Sequence, residues 1–160
     1  MLRTTLAALL TTLLTLTPLS AQTSSDCASG RARGAWDLPT RDQAGRVRGI
    51  LGDGTGRRMV LEARLTPVLL DNGVRGGRID GLLTPLTENG LAPRPTAELH
   101  GTWVVAPDRT GRFESLLYPF QETKTGLLEP FGKMAGAFAD PMIGRTDPVG
   151  RFVGRWAICR

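Results

Sequence analysis

Apolar residues fall at every second position in seven short stretches of the chain, each written in nearly the same phrase. The phrase runs: a small residue, usually a basic one, an apolar one, any residue, a small one, any residue, a large apolar one. The copies are GRARGAW at 30–36, GRVRGIL at 45–51, GRIDGLL at 77–83, AELHGTW at 97–103, GRFESLL at 111–117, GKMAGAF at 132–138 and GRFVGRW at 150–156. A period of two puts alternate side chains on opposite faces of a β-strand, so the small and apolar residues share one face and the variable residues the other. Between the second and third copies, Met59, Leu61, Ala63 and Leu65 alternate with Arg58, Val60, Glu62 and Arg64. That alternation predicts an eighth strand.

The intervals carry turn chemistry: Gly52-Asp53-Gly54-Thr55-Gly56, Asp71-Asn72-Gly73, Glu88-Asn89-Gly90, Pro107-Asp108-Arg109-Thr110-Gly111, Lys124-Thr125-Gly126 and Asp147-Pro148-Val149-Gly150. No helical period holds over three turns between residues 22 and 160. Eight short strands joined by hairpin-type connections predict an all-β domain over 22–160, a single antiparallel up-and-down β-barrel of about eight strands. A two-sheet β-sandwich is the alternative, because sequence does not show closure. Small residues alternating with large ones suit a narrow, filled interior. The expected core is Trp36, Val47, Leu51, Met59, Leu61, Ile79, Leu83, Leu99, Trp103, Phe113, Leu117, Met134, Phe138, Phe152 and Trp156.

Residues 1–21 have the layout of a cleaved secretory signal peptide. Arg3 supplies the positive start, residues 6–16 an apolar middle, and Pro18 and Leu19-Ser20-Ala21 the break and the cut site. The expected location is therefore the periplasm or the outside of the cell. The two cysteines, Cys27 and Cys159, are expected to form a disulfide in such a compartment, which brings the first and last strands together. Loss of the leader removes one basic residue and takes the formal charge from +5 to +4.

Catalytic chemistry is poorly provided for. His100 is the one histidine and sits on the face opposite the core, where it is expected to be solvated. With both cysteines in a bridge, too few soft ligands remain for a zinc or iron site, and no cofactor is expected. Asp80, Glu98 and Glu114 lie on the outer face of consecutive copies and are expected to form cross-strand ion pairs with nearby Arg or His. Gly52-Asp53-Gly54-Thr55-Gly56 lacks the ending and the following helix of a phosphate-binding loop and is a turn.

The outward charges are more informative. Arg31 and Arg33, Arg46 and Arg48, and Arg151 and Arg155 lie on the first, second and last copies. A closed barrel makes these strands neighbours, so the six guanidinium groups form one basic anion-contact face, with carboxylates opposite. Arg suits bidentate phosphate or carboxylate contacts, and the expected partners are anionic lipid or polysaccharide. Nucleic acid is not expected, since no aromatic residues are interleaved with these arginines. The connection at 118–131 carries Tyr118, Phe120, Leu127, Leu128 and Phe131, which need burial. Two destinations are open: a fold over Ala135 and Ala137, or a lid or dimer contact.

Gly34-Ala35-Trp36, followed by an Arg near the chain end, is similar to the lipocalin and avidin-like barrels. The resemblance implies a small-ligand binder. The same spacing recurs in Gly101-Thr102-Trp103 and Gly154-Arg155-Trp156, so it belongs to the internal repeat and no binding residues are carried over. A small outer-membrane barrel is a further alternative. Against it stand repeat units of about seven alternating residues, where a membrane strand needs about 9–11, and glycines on the face that would meet lipid. The expectation is a non-enzymatic, exported binding or structural protein.

Overall fold

The computed structural model describes residues 27–37, 44–69, 74–108, 110–123, 126, 128–139 and 149–159, with the side chains of 69 and 149 outside that set. The expected leader at 1–21 and the turn at 71–73 lie outside the described residues. Within them the chain forms β1 (Cys27–Asp37), β2 (Gly45–Gly52), β3 (Arg58–Leu69), β4 (Arg75–Thr87), β5 (Gly90–Leu91), β6 (Ala97–Val105), β7 (Gly111–Pro119), β8 (Gly132–Ala139) and β9 (Val149–Cys159). Each long strand pairs antiparallel with its neighbour in sequence, β1 pairs with β9, and the β3–β4 ladder closes the sheet. The result is an eight-stranded up-and-down barrel and not a sandwich. The two-residue β5 is an addition on the edge of β4.

Register fixes the width of this barrel. A line drawn across the ladders from Trp36 passes through Val47, Ala63, Gly81, Leu99, Leu117, Gly132 and Ile158. It returns to β1 at Ala28, eight residues from where it began. Eight strands with a shear of eight tilt by about 36° to the barrel axis and enclose a lumen that side chains fill.

That lumen holds the apolar half of every repeat. All of the expected core residues are buried except Met59, which is partly buried and packs against the rest. Ala32, Ala63, Leu65, Ala97 and Val105 join them. Four rings run through the middle: Trp36 to Phe138 at 4.8 Å between centroids, Phe138 to Phe113 at 5.2 Å, and Phe113 to Phe152 at 5.9 Å.

The small residue in the middle of each repeat is what makes room for these rings. Gly34 faces Gly49, and a Cβ on either would stand 2.5 Å from the Phe152 ring. Gly136 faces Gly154 under Phe113. The other two facing pairs are Ala63–Gly81 and Gly101–Ser115. The Ser115 hydroxyl donates to the Met134 carbonyl at 3.1 Å, so its buried oxygen is satisfied.

Two sequence expectations need correction here. The strands extend beyond the repeated phrase, to 11 residues in β1, 12 in β3 and 13 in β4, so strand length does not argue against a membrane barrel. The distribution of polarity does: the rings and aliphatic residues line the lumen while arginines face outward, the reverse of a lipid-facing barrel. The 118–131 connection does not cover Ala135 and Ala137, which are exposed. Its described part lies against the barrel, and Phe131, like Met59 and Ile158, packs against the core. Backbone hydrogen bonds from Phe120 to Thr96, from Phe131 to Leu117 and from Cys159 to Phe131 hold it there, and Arg94 meets Glu122 at 2.8 Å.

Candidate anion-binding face

Strand pairing decides which outward residues are neighbours. Cys27 lies directly opposite Cys159 in the β1–β9 ladder, and the two form the expected disulfide. This seam sets β2, β1 and β9 side by side, which places the six expected arginines on one stretch of outer wall, all exposed. Arg31 stands directly opposite Arg155. Arg33 is flanked by Ile50 on one side and Val153 on the other. Arg48 and Arg151 both face Ala35, from opposite sides. Arg46 faces Arg64 of β3.

The wall continues onto β8, where Lys133 faces Ala157 and the other outward residues are Ala135, Ala137 and Ala139. Lys133 was absent from the sequence expectation. Its signal was present, since it occupies the same outward position in GKMAGAF that Arg151 occupies in GRFVGRW. What hid it was the restriction to the copies on either side of the disulfide. Arg31, Lys133 and Arg155, with Ser29, Gly30, Ala135 and Ala157, line an open groove of about 460 Å³. Among the described residues no carboxylate comes within ion-pair distance of those three cations. Arg48 is different, because it meets Glu62 at 3.5 Å. Both side chains of that pair are mostly exposed, so its contribution to stability is small.

The far wall is organised by His100. It lies opposite Asp80 in the β4–β6 ladder, with its Nδ1 at 2.8 Å from the Asp80 carboxylate and its Nε2 at 3.0 Å from that of Glu98. The Tyr118 ring stands 5.7 Å away, and Arg78 donates to Asp80 at 3.1 Å. Both imidazole contacts are hydrogen bonds at once only when both ring nitrogens carry hydrogen. Burial works against ionisation of Asp80, but the hydrogen bonds from His100 and Arg78 outweigh it and hold the carboxyl below its ordinary range. His100 is therefore clamped, contrary to the expectation of a merely solvated side chain. Asp80 and Glu98 have the expected partner type, whereas Glu114 faces Thr102 and Ala135 and makes no ion pair among the described residues.

These arrangements differ in what they can do chemically. The clamp sets a carboxylate against each ring nitrogen of the histidine. Its two carboxylates sit on opposite edges of the ring and do not converge; no group of His, Cys, Asp or Glu among the described residues is placed to hold a metal ion. The seam leaves several guanidinium groups and an ammonium available to anions. The lumen, where a lipocalin-like barrel would keep a ligand, is occupied by the four rings.

Comparison of the chain with protein-family models, with curated proteins and with solved structures returned no match. The site accordingly rests on its own geometry.

Proposed function

We propose that this chain is an exported β-barrel protein that works by binding and not by catalysis, and that it meets anionic surfaces in the cell envelope through the wall formed by β8, β9, β1 and β2. The observation that carries the reading is the cluster of Arg31, Arg155 and Lys133. Like charges held directly opposite each other on a sheet are unfavourable, and here no described carboxylate offsets them. An arrangement that gives the fold nothing is well suited to an anion supplied from outside. The leader-like residues 1–21 and the disulfide support an oxidising, extracytoplasmic location.

The test compares the parent with a variant carrying Arg→Ser at positions 31, 33, 46, 48, 151 and 155. The parent is expected to bind heparin and anionic vesicles with affinity that falls steeply as salt rises. The variant, if folded, is expected to bind neither. Equal binding by the two proteins overturns the reading.

A further inference from the structure

Resting on that reading, we propose that the anionic surface this face takes is a lipid bilayer and not a polysaccharide chain. The outward residues of β2, β1 and β9 form three rows across the strands. The first pairs Arg31 with Arg155. The second runs Ile50, Arg33, Val153 and on to Ala137 of β8. The third sets Arg48 and Arg151 on either side of Ala35. The middle row thus sets two aliphatic side chains on either side of Arg33, between two cationic rows, and both are open to water: Val153 is 64% exposed and Ile50 44% exposed.

A sulfated or carboxylated polysaccharide is neutralised by the guanidinium groups but gains nothing from the two bare aliphatic side chains that flank Arg33 within the contact. A bilayer interface accepts both. The aliphatic groups settle at the boundary between headgroups and acyl chains, while the long arginine side chains bend up to the phosphates. The three strands are adjacent in a wall of eight, so the contact is a shallow one on a curved surface. It is peripheral and reversible, and each arginine near an anionic leaflet strengthens it roughly fivefold.

The experiment uses the full mature chain and an Ile50→Ser/Val153→Ser variant, with phosphatidylcholine vesicles that contain or lack phosphatidylglycerol, and a heparin column. Both substitutions are on the outer wall, and a matching melting temperature confirms that the lumen is intact. The parent is expected to sediment with the phosphatidylglycerol vesicles and not with phosphatidylcholine alone. The double variant is expected to bind those vesicles about tenfold more weakly and to elute from heparin at the same salt as the parent.

Unchanged vesicle affinity in the double variant overturns the bilayer assignment, as does a parent that binds heparin but no vesicle; either leaves the anionic-surface reading standing. A parent dimer that the double variant dissolves also overturns it, by giving the face to a second copy of the chain. If the six-arginine variant described above still binds heparin and vesicles like the parent, the underlying reading itself fails.

Discussion

The two halves of the barrel wall are built from the same repeat and have opposite habits. On β3, β4 and β6 several outward charges answer one another: Asp80 holds His100 and Arg78, Glu98 holds His100, and Glu62 reaches across to Arg48, while Glu114 of β7 makes no ion pair among the described residues. On β8, β9, β1 and β2 the outward residues from Ser29 to Asp37, Arg46 to Gly52, Lys133 to Ala139 and Arg151 to Ala157 include cations, aliphatic residues and small residues but a single acid, Asp37 at the end of β1, which makes no ion pair among the described residues. The halves differ inside as well. The facing small pairs of the first half each keep a Cβ, on Ala63 or Ser115, while those of the second are glycine against glycine under Phe152 and Phe113. The cationic half therefore receives the rings on its inner face and, on its outer face, keeps charges that the fold does not use.

The largest expected break in this comparison is internal. Gly49→Val places a branched side chain on the Phe152 ring and is expected to cost more than about 3 kcal/mol or abolish folding. Ala63→Gly, at the corresponding position of the other half, is expected to cost only about 1 kcal/mol. Urea unfolding of the two variants checks the contrast; equal costs would show that the glycine seats are not what separates the halves.

The tryptophans give a second, smaller contrast. The Trp103 indole donates to the Arg78 carbonyl at 3.0 Å, whereas the buried Trp156 indole nitrogen has no hydrogen-bond partner among the described residues. Trp→Phe removes similar volume at both sites, so Trp103→Phe is expected to be the costlier by about 1 kcal/mol. Thermal melts of both variants measure the difference, and a costlier Trp156→Phe would refute it.

Acid should act on the balanced half. The Asp80 carboxyl is depressed below its ordinary value of 3.8 in the folded protein, so its contribution is fully present above that value. It is lost as pH falls through the lower, folded value. Asp53 and Asp108, held down by hydrogen bonds from Thr55 and Thr110, act in the same direction. Asp80→Asn is expected to lower stability by about 0.5 kcal/mol near neutral pH and to flatten the acid limb. Melting temperatures across the acid range report both effects, and an unchanged limb would remove Asp80 from the account.

The smallest effect sharpens the functional contrast. Arg31→Thr relieves a like-charge pair and is expected to leave stability unchanged or raise it by a few tenths of a kcal/mol, while weakening heparin binding. A clear loss of stability would mean that Arg31 serves the fold.

Much of this is legible in the sequence. The repeat declared its strands because a period of two has one physical meaning, and burial of Trp36, Leu61, Phe113 and Trp156 follows from that parity alone. The seam arginines were legible for the same reason, once Cys27 and Cys159 were read as joining the first and last strands. Lys133 was legible as well, because an up-and-down barrel sets its strand beside the last one, but the expected face stops at the copies that flank the disulfide. The His100 clamp was not: Asp80 is twenty residues away in sequence, and only the register of β4 on β6 makes them opposite.

The sequence by itself thus determined which face of each strand meets water, since alternation is a local property. Closure of the β3–β4 ladder, a shear of eight and the pairing of glycine with glycine were decided by tertiary structure. They depend on how separate strands slide along one another, and a slide of two residues keeps every side chain on its face while changing every neighbour. For that reason the chain announces a cationic wall in its letters, but only the folded barrel shows that Arg31 meets Arg155 with no described carboxylate to answer them.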